Sequence, residues 1–248
     1  MKKKVLITFG DSFTYGLQED IDLCLEYSFG NHVAKFLGVD YYINYSKPSW
    51  GNETVWNSFL RLNPRLSFKD YDVYVIFMAS YFVRMTIPFD LNYKTLSYQS
   101  NEEPFMNHWI QTEANPILTL EKYNIDVLKE ILLTLDDWNW DWMLGFNNVK
   151  DEVLFRNQYS INKRNLLPKA FKHGMYHGAP KIYHCHKTGH LTKEGYEVIG
   201  NHVIGHIQRK KSHWIGNSKE NVDKCDVHIS NVEIKLDNKI DFGNQSFI

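Results

Sequence analysis

Lys4-Val5-Leu6-Ile7-Thr8-Phe9 runs directly into Gly10-Asp11-Ser12-Phe13-Thr14-Tyr15-Gly16. A short apolar run rich in β-formers, stopped by a glycine, an acid and a serine, reads as a buried strand ending in a loop. Ser28 to Leu37 then reads as a helix: Ser28 caps it, Val33, Phe36 and Leu37 form one apolar face, and Gly38 stops it. Tyr41 to Tyr45 follows as a second short strand. Asn52 to Leu62 is a second helix, with Val55, Phe59 and Leu62 at helical spacing, and Asp72 to Met78 is a third strand. The third strand is nearly continuous in apolar residues, as a parallel strand covered on both faces must be. This alternation of strands and helices gives a parallel sheet flanked by helices, an α/β fold. Right-handed crossovers bring the carboxyl ends of such strands to one edge, where ligands bind. The loops beginning at Gly10, Ser46 and Ala79 are therefore expected to converge there.

The chain has 248 residues, room for one large domain or a domain with an appendage at about 150 residues per domain. Lys and Arg number 28 against 29 Asp and Glu, a formal charge of −1. That balance excludes a protein that wraps nucleic acid through a basic face. Cys24, Cys185 and Cys225 are odd in number and far apart, so they make no disulfide framework. No segment approaches the ~18 apolar residues of a membrane span. The apolar run after Lys2-Lys3-Lys4 stops at Gly10, shorter than the roughly 7–15 residues of a secretory signal. The expectation is a soluble protein without a signal peptide, cytoplasmic or virus-encoded and intracellular, partnered by neither nucleic acid nor membrane. The unusual figure is 15% aromatic residues. Aromatics fill cores, but an excess also suits a surface that stacks on flat or sugar-like ligands.

From Met85 to about Asn115 the pattern dissolves into a polar, aromatic-rich stretch, which reads as a lid, a binding loop or a disordered segment. Ile117 to Leu135 returns to helical periodicity. Asp136 to Asn148 then sets Trp138, Trp140 and Trp142 among acids and asparagines, with all three rings on one side if the segment is extended. A sugar-stacking platform, the packing of an irregular loop and a subunit contact are the competing readings. Lys193 to about Lys210 is a helix that buries Tyr196, Ile199, Val203 and Ile207 and ends in basic residues suited to its dipole. The Lys2-Lys3-Lys4 and Arg209-Lys210-Lys211 runs read as solvated. Val227 to Asp241 suggests a hairpin around Asp237-Asn238. The expected organisation is a domain over 1–210, with an insertion at about 85–115, and an extension over 211–248.

Ser12 is expected at the ligand edge, in a glycine-flanked turn that lets its amide point at an oxyanion. A serine hydroxyl becomes a nucleophile only when a base takes its proton. The best candidate base is His190, in Gly189-His190-Leu191-Thr192-Lys193-Glu194-Gly195-Tyr196, just before a helix and able to reach the same edge.

From about Lys4 to Arg209 the chain resembles the SGNH (GDSL-type) hydrolase superfamily. Gly10-Asp11-Ser12 with Thr14 and Gly16 is similar to the family's nucleophile block, with Phe13 in place of the commoner leucine. Asn44-Tyr45-Ser46-Lys47-Pro48-Ser49-Trp50-Gly51-Asn52 resembles its second block, and His190 with Thr192 and Gly195-Tyr196 its histidine block. The resemblance implies a three-layer α/β/α sandwich that hydrolyses a small acyl ester, such as acetyl on a carbohydrate, without metal or organic cofactor. It also implies Ser12 as nucleophile, His190 as base, and the Ser12 and Gly51 amides as oxyanion donors. Two positions depart from the family. Its third block carries an asparagine after the third strand, where this chain has Ala79-Ser80-Tyr81, leaving Ser80 or Asn52 as substitute donors. An aspartate three residues before the histidine is replaced by Lys187. Asp11, Tyr81 and Arg84 are candidate substrate contacts; Arg84 suits an anionic group, and an ordinary surface ion pair competes with that reading.

His184, Cys185, His186 and His190 could hold zinc by residue type, but no second cluster has paired spacing, and the expectation is a polar loop without metal. The alternatives to an esterase are an SGNH-fold protein that keeps the cleft for carbohydrate binding, and a structural or assembly module. A homo-oligomer is compatible with each.

Overall fold

The computed structural model describes residues 2–17, 24–56, 71–80, 84–89, 92–97, 126–131, 139–144, 189–215, 226–229, 235–236 and 240–241, and positions 123, 133, 166 and 183. A parallel sheet forms its centre. Strand β1 (Lys3–Gly10) pairs with β2 (Tyr41–Ser46) on one side and β3 (Tyr71–Ala79) on the other. Three strands are therefore where the sequence pattern puts them, each a residue or so longer at its ends. Two more extend the sheet in parallel: β6 (Trp140–Leu144) beside β3 and β7 (Asp226–Ile229) beside β2, giving the order β6-β3-β1-β2-β7. Chain direction across the sheet reverses between β1 and β3. That makes the carboxyl ends of these two strands the topological switch point, the place where such sheets hold ligands.

Alternate residues of each strand feed two separate cores. On one face Val5, Ile7, Phe9, Ile43, Val75 and Phe77 pack with Val55, Leu128 and Ile131 from the helical residues 52–56 and 126–131. On the other, Leu6, Tyr42, Ile76 and Met78 pack under helices α3 (Phe29–Leu37) and α4 (Lys193–Lys210) through Val33, Leu37, Ile199 and Val203. The fold is a three-layer α/β/α sandwich. Two very short helices, α1 (Ser12–Tyr15) and α2 (Cys24–Tyr27), precede α3. The helix ends follow the sequence signals. Ser28 Oγ accepts from the Asn31 amide, the left-handed Gly38 amide donates to the Ala34 and Lys35 carbonyls, and Thr192 Oγ1 accepts from the Gly195 amide.

One competing reading and two expectations need correction. Trp140 and Trp142 are 4% and 0% exposed and lie in the core of β6, so they form no stacking platform; Trp138 lies outside the described residues. The stretch expected to lack regular structure contains β4 (Arg84–Phe89) and β5 (Asn92–Ser97), paired antiparallel. The Lys210-Lys211 end of α4 is not simply solvated. Lys211 is 7% exposed, and its ammonium is paired with Asp72 at the start of β3; His213 and the Trp214 indole, in a 3-10 turn Ser212–Trp214, bond the same carboxylate. In the tail, β8 (Lys235–Leu236) and β9 (Ile240–Asp241) pair antiparallel; Asp237-Asn238 lie outside the described residues. Among the described residues no helix is long and apolar enough to cross a membrane.

Asp141, 2% exposed in the middle of β6, fastens the same helix. It accepts from the Tyr74 hydroxyl and, at 2.9 Å, from Lys210 Nζ, and stands 3.0 Å from His206 Nε2. Burial raises the pKa of its carboxyl, but the hydrogen bonds from His206, Tyr74 and Lys210 outweigh burial and hold it below the ordinary value. Burial, and then the Asp141 charge, push the Tyr74 hydroxyl well above its ordinary value. A carboxyl whose folded pKa is depressed stabilises the fold fully above its unfolded pKa of about 3.9 and loses that contribution as pH falls through the folded value. Asp141→Asn is expected to lower the unfolding free energy by about 2 kcal/mol at pH 7. Its deficit relative to wild type should shrink as pH drops below about 4. Urea denaturation of both proteins at neutral and acid pH checks this, and a deficit independent of pH would refute it.

Candidate active site

The site is assembled where β1, β2 and β3 end. Beyond Gly10 the chain turns at once into α1, and a Cβ at Gly10 would overlap the Thr14 hydroxyl, so only glycine lets the helix fold back this tightly. Gly16 closes α1 with φ +84°, a left-handed conformation that suits glycine. Ser12 thus becomes the first residue of a helix, 6% exposed, with an amide that the helical ladder does not use. Its hydroxyl oxygen is 2.8 Å from His190 Nε2. His190 arrives on the loop that starts α4, between Gly189 (φ +68°) and the fully buried Leu191, and the loop is tied down by the Thr192 amide donating to the Tyr183 carbonyl at 2.8 Å. Serine and histidine, 178 positions apart in sequence, are brought within hydrogen-bonding distance.

Gly51 stands just before the helical residues 52–56, and its carbonyl accepts from the Val55 amide at 3.2 Å. Its own amide therefore precedes the first hydrogen bond of that helix, as Ser12's does in α1. The approach to Gly51 is a tight turn in which the Trp50 amide donates to the Lys47 carbonyl at 3.3 Å and Ser49 takes φ +70°. A positive φ at a serine costs on the order of 1 kcal/mol, and such strain concentrates at functional edges. Burial lowers the pKa of the Lys47 ammonium in this turn, and Lys47 Nζ lies 5.9 Å from the centre of the Trp50 ring.

The other sequence candidates take different parts. Asp11 was read as a substrate contact, but it is 0% exposed: Oδ1 accepts from the Phe13 amide at 3.1 Å and Oδ2 from the Ser80 hydroxyl at 2.7 Å. It caps α1 and ties it to the end of β3. Ser80 was read as a substitute oxyanion donor, but its hydroxyl goes to Asp11 and its amide donates to Asn52 Oδ1 at 2.8 Å. Asn52, read the same way, is fully buried and faces the Ser80 backbone, with Nδ2 3.4 Å from the Ser80 carbonyl oxygen. Both residues brace the Gly51 loop against β3. Arg84 opens β4, but its side chain lies outside the described residues, as do Tyr81, His184, Cys185, His186 and Lys187.

Residues of the same sequence blocks, for which the sequence assigned no role, support this pair. The Phe13 ring packs on the His190 imidazole, with centroids 4.7 Å apart and planes inclined by 34°. Asn44 Nδ2 donates to the Thr14 carbonyl at 3.3 Å, the Ser46 hydroxyl donates to Asn44 Oδ1, and the Thr14 hydroxyl donates to Met78 Sδ at 3.4 Å. Apart from the Ser46–Asn44 bond, these contacts join residues at least 30 positions apart, so no local sequence signal points to them.

No protein-family model matches the chain, and no curated protein matches it. Solved structures similar to the chain include two. One is described as a lipolytic protein of the G-D-S-L family from Desulfitobacterium hafniense DCB-2, at 11% identity and TM-score 0.43, covering 81% of this chain and 98% of that one. The other is an acetyl xylan esterase from the rumen bacterium Butyrivibrio proteoclasticus, at 14% identity and TM-score 0.41, covering 87% of this chain and 65% of that one. The strand order, with serine after β1 and histidine before α4, is that of a doubly wound parallel α/β sheet.

Asn52→Ala removes the acceptor for a buried amide and is expected to cost about 1–3 kcal/mol. Chemical denaturation measures the loss, and an unchanged midpoint would show that the Asn52 brace is dispensable.

Proposed function

We propose that the protein is a serine esterase that hydrolyses a small acyl ester, with Ser12 as nucleophile and His190 as its base. The observation that carries this reading is the 2.8 Å approach of Ser12 Oγ to His190 Nε2 at the switch point of the sheet. With Nδ1 protonated, His190 accepts the serine proton at Nε2 while Oγ attacks the acyl carbon. The carbonyl oxygen becomes an oxyanion, which the Ser12 and Gly51 amides hold. The intermediate collapses with cleavage of the C–O bond, and His190 returns the proton to the departing alcohol. Water then attacks the acyl-serine, gives a proton to His190, and the acid leaves as Ser12 recovers its hydrogen.

Acetyl on a carbohydrate is the substrate class we put first. With Trp140 and Trp142 in the core, the aromatic surface supporting that choice is the half-buried Trp50 beside Gly51. The commitment of both Ser80 donors within the protein favours a second reading, a binding module of the same fold that retains the cleft.

A fluorophosphonate probe and an activated acetyl ester separate the two. Wild type is expected to label and hydrolyse, Ser12→Ala to do neither, and His190→Ala to lose at least about a thousandfold in rate. Wild type that neither labels nor hydrolyses, yet binds a glycan equally well with or without Ser12→Ala, would replace the esterase by the binding module.

A further inference from the structure

One hydrogen bond fixes where an imidazole nitrogen lies but leaves the ring free to turn about its own bond to the side chain. In this protein a contact on the ring face, from Phe13, adds to the Ser12 hydrogen bond. Phe13, the residue directly after Ser12, lays its ring on His190 with centroids 4.7 Å apart and 34° between planes. Phe13 is itself immobilised: it is 1% exposed, belongs to the core beneath α3 and α4, and its amide donates to Asp11 Oδ1. Adjacent residues on one turn of α1 therefore hold the same imidazole at two points, Ser12 at the Nε2 edge and Phe13 on the face.

We propose that Phe13 is a positioning residue for His190, setting the plane of the imidazole so that Nε2 points at Ser12 Oγ. This assignment rests on the serine-esterase reading. A tilted aromatic contact has a preferred geometry, which ties the plane of the imidazole to that of the Phe13 ring in this chain. Ring orientation then follows from packing by the nucleophile's own helix. Any movement of α1 carries the nucleophile and the base's support together.

Phe13→Leu tests it, with Phe29→Leu as control. Phe29 is 0% exposed in the same core, at the start of α3, and loses the same ring without belonging to the site. In wild type the ring protons of His190, assigned by their disappearance in His190→Ala, should resonate upfield of those of an exposed histidine because they lie near the Phe13 ring. Phe13→Leu should abolish that shift and lower kcat on an activated acetyl ester roughly tenfold, the rate equivalent of one aromatic contact, with KM unchanged. Phe29→Leu should retain both, and Phe13→Tyr, which keeps the ring, should restore kcat. If Phe13→Leu does not fold, Phe13→Met replaces it with the same expectation. An unchanged His190 spectrum in Phe13→Leu, or a kcat equal to that of wild type, overturns the positioning role and leaves the esterase reading intact. A wild type that shows the ring shift but neither labels nor hydrolyses overturns the esterase reading, and the role in catalysis falls with it.

Discussion

A single buried carboxylate holds the two halves of the ligand edge together. Asp11 accepts the Phe13 amide with one oxygen and the Ser80 hydroxyl with the other, so the turn leaving β1 and the residue ending β3 share one anion away from water. A carboxylate at zero exposure is tolerable only with such partners, since an unpaired buried charge is among the most costly groups in a fold. From this knot the rest of the edge is laid out. Capping by Asp11 starts α1 at Ser12, and Ser80, held by Asp11, in turn presents its amide to Asn52, which fixes the loop carrying Gly51. Three strand ends thus meet through side chains, although their backbones pair only within the sheet.

The fourth contributor comes from elsewhere. His190 is delivered by α4, an 18-residue helix about 27 Å long. Its near end is located by the Thr192 cap and the buried Leu191. Its far end is located by Lys210 on Asp141 and by Lys211 and the Trp214 indole on Asp72. The carboxyl of Asp72, like that of Asp141, is held below its ordinary value: burial opposes ionisation, and hydrogen bonds from Lys211, Trp214 and His213 outweigh it. A helix fixed at both ends and packed along Ile199, Val203 and Ile207 behaves as one rigid body over the sheet. The lateral position of the imidazole is therefore set partly by ion pairs at the opposite edge of the molecule.

What could be read from the sequence was what local chemistry writes. The runs at 4–9, 41–45 and 72–78 are apolar enough to be buried strands, and Ser28 and Gly38 announce the ends of α3 through hydrogen bonds three or four residues long. The Ser12 and His190 candidates were legible because glycine, serine and histidine stand at strand-loop and loop-helix boundaries. The misreadings share a cause. Trp140-Asp141-Trp142 looks like an amphipathic surface segment because an aspartate interrupts the apolar run, yet that aspartate is satisfied by groups 65 and 69 positions later in the chain. Lys211 looks solvated because its partner Asp72 lies 139 positions earlier. Asp11 looks like a ligand contact because Ser80 is 69 positions away. A buried charge is invisible in sequence whenever its counter-charge comes from a distant element. The Phe13 ring was visible only as an unusual letter in a familiar motif.

The 178-position span between Ser12 and His190 also has a consequence for how the chain comes into being. Synthesis delivers the hydroxyl first and the imidazole only 178 residues later. Until α4 has emerged and docked on the central strands, Ser12 lacks the imidazole that stands beside it in the folded protein. On the proposed esterase reading, a chain that ends short of His190 holds the serine without its base, and reactivity becomes a property of assembled architecture rather than of a local motif.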